Sequence, residues 1–237
     1  MKLLLLLSLL GITVVSGIIV GGGGYGSSSS SEEYGGGHGH HHPRPPNRPP
    51  PRPRPPPARP PPPAAPRCNA GWLQFDRPQG RWCVQVVHAN INNYQAQERC
   101  AAMGGTLSGI QNDAERIAIA NEGRRVLQPL NLEIGSIWLG ARRKTLCPRS
   151  DSCTPDNTFA WTDGITNGTE GFRFSVGQPD GSLSGPTAQD CLQQIIYPVA
   201  DTSTGFPGMI HGTYDDQWCI ATRDPVNRLF ACGKRAV

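Results

Sequence analysis

The chain has 237 residues, with 24 prolines, 29 glycines, eight cysteines and a formal charge of +4. Fifteen of the prolines lie in residues 43–66 and all eight cysteines lie from Cys68 onward, which divides the chain into a low-complexity front and one cysteine-bearing domain of 170 residues (68–237). That domain carries 15 basic and 16 acidic residues, which argues against a nucleic-acid partner, since such a domain concentrates basic charge in its folded part. A domain of this size can bury a sizeable core, so its cysteines add to a core and do not replace one.

Residues 1–17 read as a secretory signal peptide. Lys2 is the charged start, residues 3–15 are largely apolar, and Val15-Ser16-Gly17 offers small residues for cleavage. Ser8, Gly11, Ser16 and Gly17 break the apolar run and glycines 21–24 end it, so it is short for a membrane span of about 20 residues. No later segment is long and apolar enough to cross a bilayer. The expectation is a secreted, extracellular protein without stable membrane insertion, in a compartment where disulfides persist.

Residues 18–67 read as a disordered stalk, because glycines and serines at 21–31 have almost nothing to bury. The proline-rich residues 43–66 favour polyproline II and, at about 3.1 Å per residue, reach on the order of 75 Å. His38, His40, His41 and His42 form a patch of metal-binding imidazoles. A disordered patch has no surrounding shell to select a metal, so we read it as solvated linker. The interleaved arginines read as a solubilising face.

Cys68 and Cys83 bracket Gly71-Trp72-Leu73-Gln74-Phe75, which predicts an opening β-hairpin. Ala96, Cys100 and Met103 share one helical face within residues 94–103, and Gly104-Gly105 stop that helix. A second helix is expected from Asp113, with Asn112 as cap, Glu115 three residues on, and Ala114, Ile117 and Ala118 as its apolar stripe. Gly123 weakens the helix beyond that point. After Ile137-Trp138-Leu139-Gly140 there are few helical periods, many turn residues and short β-type runs such as Phe159-Ala160-Trp161 and Leu229-Phe230-Ala231. Eight cysteines allow about a hundred pairings. Proximity favours Cys68–Cys83, and also Cys147–Cys153 around the turn-rich Pro148-Arg149-Ser150-Asp151-Ser152.

Several landmarks then fall in a telling order. They are Gly71-Trp72 with Phe75 and Cys83, a helix with Cys100, Gly104-Gly105-Thr106-Leu107, a second helix, Ile137-Trp138-Leu139-Gly140, and Phe159-Ala160-Trp161-Thr162-Asp163-Gly164. Gly177-Gln178-Pro179-Asp180, Asp190-Cys191, Tyr214-Asp215-Asp216-Gln217-Trp218-Cys219 and Phe230-Ala231-Cys232 complete the series. From Cys68 to about Lys234 the chain resembles the C-type lectin-like domain in its long form. The resemblance implies an α+β fold, with two helices flanking small antiparallel sheets and a long disulfide-tied loop region. It also implies Cys100–Cys232, tying the first helix to the last strand, and Cys191–Cys219, closing the loop region. With the two local pairs no thiol is left over. A zinc site is a poor reading without a C-x₂-C pair.

Sugar-binding members of this family hold one Ca²⁺, and sugar hydroxyls complete its shell of roughly six to eight oxygens. Carried over by motif, the ligands here are Gln178 and Asp180 from Gln178-Pro179-Asp180, Gln189 two residues before Cys191, and Asp215 and Asp216 from Tyr214-Asp215-Asp216. Pro179 is expected to be cis, aiming its neighbours at the metal. Gln189 stands where the family has Glu, and Asp215 where it has Asn, so the two departures offset in charge. Exposed, like-charged Asp215 and Asp216 would repel each other without a cation. A metal-free reading also exists, because Gln-Pro-Asp-Gly is a good β-turn sequence.

In the family, Gln-Pro-Asp goes with galactose-type rather than mannose-type hydroxyl pairs, through donor–acceptor order. Loop residues 181–185 lack an aromatic to stack on sugar, and Trp218 is the nearest one, either site-shaping or core. The domain has only two histidines, His88 and His211, and none of the G-x-S-x-G, H-E-x-x-H or phosphate-loop motifs, so an enzyme is not expected. Asn167-Gly168-Thr169 is a glycosylation sequon. The expectation is a secreted calcium-dependent lectin, galactose-type over mannose-type, whose partners are glycans on microbial or host surfaces, with oligomers allowed. The alternative is a calcium-independent protein-binding domain with a decayed sugar site. A third reading makes the His/Pro-rich tail the active part of a structural or mucus-associated protein.

Overall fold

The computed structural model describes Arg52, Arg54, Arg59 and residues 65–197, 209–222 and 227–237. The chain separates into two units, Met1–Arg59 and Pro60–Val237, and the fold described below is that of the second. The expected signal peptide, the histidine patch and most of the stalk lie outside the described residues.

The chain enters as the expected hairpin, β1 (Leu73–Arg77) and β2 (Gly80–His88). Helix α1 (Asn93–Ala102) starts on a capping box: Asn92 accepts from the Gln95 N–H, and the Gln95 side chain accepts from the Asn92 N–H. After β3 (Thr106–Leu107) comes α2 (Asp113–Leu127), capped by Asn112 as expected. The remaining elements are β4 (Gly135–Arg143), the short α3 (Pro155–Thr158), β5 (Phe159–Trp161), β6 (Leu183–Ser184), β7 (Thr187–Ala188), β8 (Cys191–Ile196), β9 (Tyr214–Gln217) and β10 (Asn227–Arg235).

The architecture is α+β, but the strands combine more than expected. Among the described residues, one sheet runs β1-β2-β10-β4-β8-β9, with β3 on β10 and β5 on β4, and only β6–β7 stands apart. The β10–β4 pair is parallel, which the expectation of small antiparallel sheets did not contain. Arg67 exchanges backbone hydrogen bonds with Val237. The start of the unit is thus tied to its end, near the β1–β2 side of the sheet, while the long loops gather at the β9 side.

Helix α2 corrects the expected apolar stripe. Ala114 and Ile117 are exposed and Ala118 is half-buried, whereas Glu115, Arg116, Ile119, Ala120, Gly123 and Leu127 are buried. The buried face begins with two charges because each has a partner. Glu115 pairs with Arg77 at 2.6 Å and accepts from the Gln111 N–H, and Arg116 pairs with Asp113 at 2.7 Å. Helix α2 nonetheless continues through Gly123 to Leu127. A Cβ there would lie 2.8 Å from Ile137 Cδ1, so its absence lets α2 lie close against β4 and β8.

All four disulfides form as expected, Cys68–Cys83, Cys100–Cys232, Cys147–Cys153 and Cys191–Cys219. Two apolar cores result. One lies between α2 and the sheet, around Ile119, Leu139, Leu192 and Leu229. The other packs α1 on Trp138 and Phe230 and contains both Cys100–Cys232 and Cys191–Cys219. The disulfide that closes the loop region, Cys191–Cys219, is therefore part of a core, which fixes where that region begins and ends.

Candidate functional site

The loop at Gln178 is held from within and from below. The Gln178–Pro179 peptide bond is cis. Pro179 is buried, Gln178 half-buried and Asp180 exposed. Gln178 Oε1 accepts from the Asp180 N–H at 2.9 Å, and Asp180 Oδ1 accepts from the Ser182 N–H at 2.9 Å. The N–H groups of Asp180 and Gly181 donate to the Asp216 carboxylate at 3.0 and 2.8 Å. The loop is thereby seated on Asp216.

Asp216 is fully buried, and its second oxygen also accepts from Nη2 of Arg143, at the end of β4. The Arg143 guanidinium is satisfied on every nitrogen. Nε donates to the Gln189 carbonyl at 3.1 Å and Nη1 to the Cys147 carbonyl at 3.3 Å, while Asp190 lies 3.7 Å away. Its face lies over the Phe159 ring, 5.1 Å from the centroid. Burial raises the Asp216 carboxyl, and the Arg143 charge and the Gly181 N–H oppose that rise.

Asp215 is also buried and faces a second arginine through an amide. Its Oδ2 accepts from Gln193 Nε2 at 2.7 Å, and Gln193 Oε1 accepts from Nη1 of Arg228. Arg228 is completely buried, donates to Ser136 Oγ at 2.7 Å, and stacks over Trp138 at 4.4 Å. Burial pushes the Asp215 carboxyl up to about 7; the Gln193 hydrogen bond opposes this, and the charges of Asp216 and Asp180 add to it. The expected exposed pair of repelling carboxylates is corrected here. Both are buried, and each has its own internal arginine, reached from neighbouring positions of one strand that face opposite ways.

The remaining candidates are engaged too. Gln189 is buried, and its Nε2 lies 3.4 Å from Gln217 Oε1. Trp218 is half-buried and donates its indole N–H to the Thr187 carbonyl at 3.1 Å, tying β9 to the β6–β7 hairpin. Asn167 is exposed, in a turn whose backbone is held on both sides by Gln111. His211 bridges α2 and the residue after β8, accepting from the Tyr197 N–H and bonding Asn121. Burial, with Arg124 and Arg116 nearby, lowers its pKa to about 4. His88 is half-buried in β2.

Calcium needs several oxygens free to turn toward one centre. Here Asp216 is filled by a guanidinium and two N–H groups, Asp215 turns to Gln193, and Gln189 turns to Gln217. Among the described residues, no group of three or more His, Cys, Asp or Glu side chains is placed to hold a metal ion. As arranged, these side chains do not fit the ion. Sequence reasoning missed Arg143, Gln193 and Arg228. A signal for the first existed: Arg142-Arg143 directly follows the buried run from Ile137 to Ala141, so strand alternation turns one of the two inward.

The fold is similar to that of a calcium-independent type II antifreeze protein (20% identity, TM-score 0.47, covering 73% of this chain and 98% of that one). It is similar to the cow C-type carbohydrate-recognition domain of CD23 (15%, 0.46, covering 73% and 99%). It is also similar to the mouse scavenger receptor C-type lectin carbohydrate-recognition domain (19%, 0.45, covering 72% and 99%). A search of curated proteins gave no significant match. The family model for C-type lectin domain-containing protein 141/158 matches residues 74–234, well over half of the chain, and the protein belongs to that C-type lectin domain family.

Proposed function

We propose that residues 68–237 form a secreted, non-catalytic, calcium-independent recognition domain of the C-type lectin-like fold, carried on the proline-rich stalk. The observation that carries this reading is the buried pair between Arg143 and Asp216. The guanidinium supplies a fixed positive charge to the carboxylate that the family offers to a metal. The loop from Gln178 to Gly181 is then seated without an ion.

Magnitudes favour the arginine. Breaking a buried pair by removing one partner costs about 3–5 kcal/mol. A calcium ion at ten times its dissociation constant contributes only about 1.4 kcal/mol. Extracellular modules bind calcium with constants of about 10⁻⁴–10⁻³ M, a range that leaves calcium little surplus with which to displace the guanidinium. The exposed side chain at Asn167 supports a glycan at the sequon.

A second reading is the calcium-dependent, galactose-type lectin. The seat of the Asp180–Gly181 backbone on Asp216 favours it, because this keeps Gln178, Asp180 and Asp216 neighbours. It requires Arg143 to leave. A glycan array probed with the full chain, in calcium and in chelator, separates the two. The calcium-independent reading expects one pattern in both conditions, and galactose binding that appears only with calcium would reverse the choice.

A further inference from the structure

Arg142 adjoins Arg143 on β4 but has different surroundings. Arg77, Arg81, Arg116, Arg125, Arg143 and Arg149 each pair with a carboxylate. Arg142 has no carboxylate within ion-pair distance among the described residues, and its partners are weak. Nη1 lies 2.6 Å from the disulfide sulfur of Cys191 and 3.4 Å from the Ala141 carbonyl, and the guanidinium lies over the Tyr94 ring at 5.4 Å. Nε and Nη2 have no hydrogen-bond acceptor among the described residues. Burial lowers its pKa, as expected of a cation short of counter-charge.

This guanidinium lines an open groove of about 420 Å³, together with Tyr94, Lys144, Thr145 and Asp190, along the Cys191–Cys219 disulfide. Tyr94 is 53% exposed, although it lies on α1 above a core. We propose that this groove binds an acidic saccharide, a sugar carrying a carboxylate or a sulfate ester. The unused edge of Arg142 presents two parallel N–H donors, the geometry that grips an oxyanion. Lys144 adds a second positive charge. The Tyr94 ring offers a flat apolar surface to the C–H face of a sugar. Asp190 decides the class of ligand: its side chain is 52% exposed, it repels a bare anion, and it accepts hydrogen bonds from sugar hydroxyls. The inference rests on the calcium-independent reading above and names a ligand for it, since no contact in the groove needs a metal.

The stalk arginines are a competing anion site, so the test uses the full chain with two sets of variants. Calorimetric titration compares an unsulfated chondroitin disaccharide (carboxylate only), galactose 6-sulfate (sulfate only) and inorganic sulfate, in calcium and in chelator. At least one saccharide is expected to bind more tightly than inorganic sulfate, and equally with and without calcium. Arg142→Gln should weaken it by about tenfold or more, since a charge-assisted bidentate contact is lost. Arg142→Lys should weaken it less, and also serves if the first variant does not fold. Changing Arg44, Arg48, Arg52, Arg54 and Arg59 to Gln should leave it within about twofold. Tyr94→Ala should weaken the saccharides but not inorganic sulfate. Calcium-dependent binding that is still lost in Arg142→Gln would keep the groove and overturn the calcium-independent reading. Binding lost only with the stalk arginines, preference for inorganic sulfate, or no saccharide binding would each overturn the groove itself.

Discussion

Arg143 on β4 and Asp216 on β9 meet as a buried ion pair around the start of β8, the strand that lies between them. Their side chains are 2% and 0% exposed. The same carboxylate holds two backbone N–H groups of the long loop. One interaction therefore joins the sheet, its edge strand and the loop that carries Gln178 and Asp180.

Removing either partner leaves a buried charge alone. Arg143→Ala and Asp216→Ala should each lose about 3–5 kcal/mol, and Arg143→Met with Asp216→Leu much less than the sum. Denaturant unfolding with the disulfides intact measures this. Additive losses would show that the two charges are not coupled.

The half-buried His211 and the buried Asp215 should oppose each other in acid. His211 has its pKa lowered to about 4 from 6.5, so the unfolded chain takes up the proton first and stability falls as the pH drops through that window. Asp215 has its pKa raised to about 7 from 3.8, so the folded chain takes up the proton first, and that contribution is lost as the pH rises through about 7. His211→Asn should therefore raise the melting temperature at about pH 5 relative to about pH 7, and Asp215→Asn should do the reverse. Parallel pH profiles for both variants and the parent would contradict these assignments.

The disulfides should rank by loop length and burial. Cys100–Cys232 spans 132 residues and sits in the second core, and the chain-entropy model gives about 5 kcal/mol for such a loop. Cys147–Cys153 spans six residues, worth about 2 kcal/mol on the same model. Paired Cys→Ala replacements followed by thermal unfolding should show that order, and equal losses would contradict it.

Much of the fold was legible because its landmarks are local: the hairpin cysteines, the cap at Asn112, and the glycines after Met103. The α2 stripe was misread because Glu115 and Arg116 counted as polar, and their buried partners lie elsewhere in the chain at Arg77 and Gly212. The candidate site was legible as a set of residue types but not as a set of contacts. Arg143 lies 73 residues before Asp216, and Arg228 reaches Asp215 only through Gln193. No local spacing encodes such pairings; they are fixed when β4, β8, β9 and β10 line up.

Two glycines separate packing from backbone freedom. A Cβ on Gly140 would lie 2.1 Å from the Leu107 carbonyl oxygen, whereas Gly104, at φ +74, has nothing within 4 Å. Gly140→Ala should cost about 3 kcal/mol or more, because backbone must shift. Gly104→Ala should cost only about 1 kcal/mol, the penalty of a left-handed side-chain residue. Denaturant midpoints compare them, and a cost at Gly104 equal to that at Gly140 would undo the distinction.

The most direct measurement is the melting temperature of the full chain with calcium and with chelator. A site with a dissociation constant of about 0.1 mM, titrated with about 10 mM calcium, would stabilise the fold by about 2.7 kcal/mol, a shift of several degrees. With Arg143 holding Asp216, the melting temperature should be the same in both conditions. A rise of several degrees that saturates with calcium would contradict the account and return Asp216 to the metal.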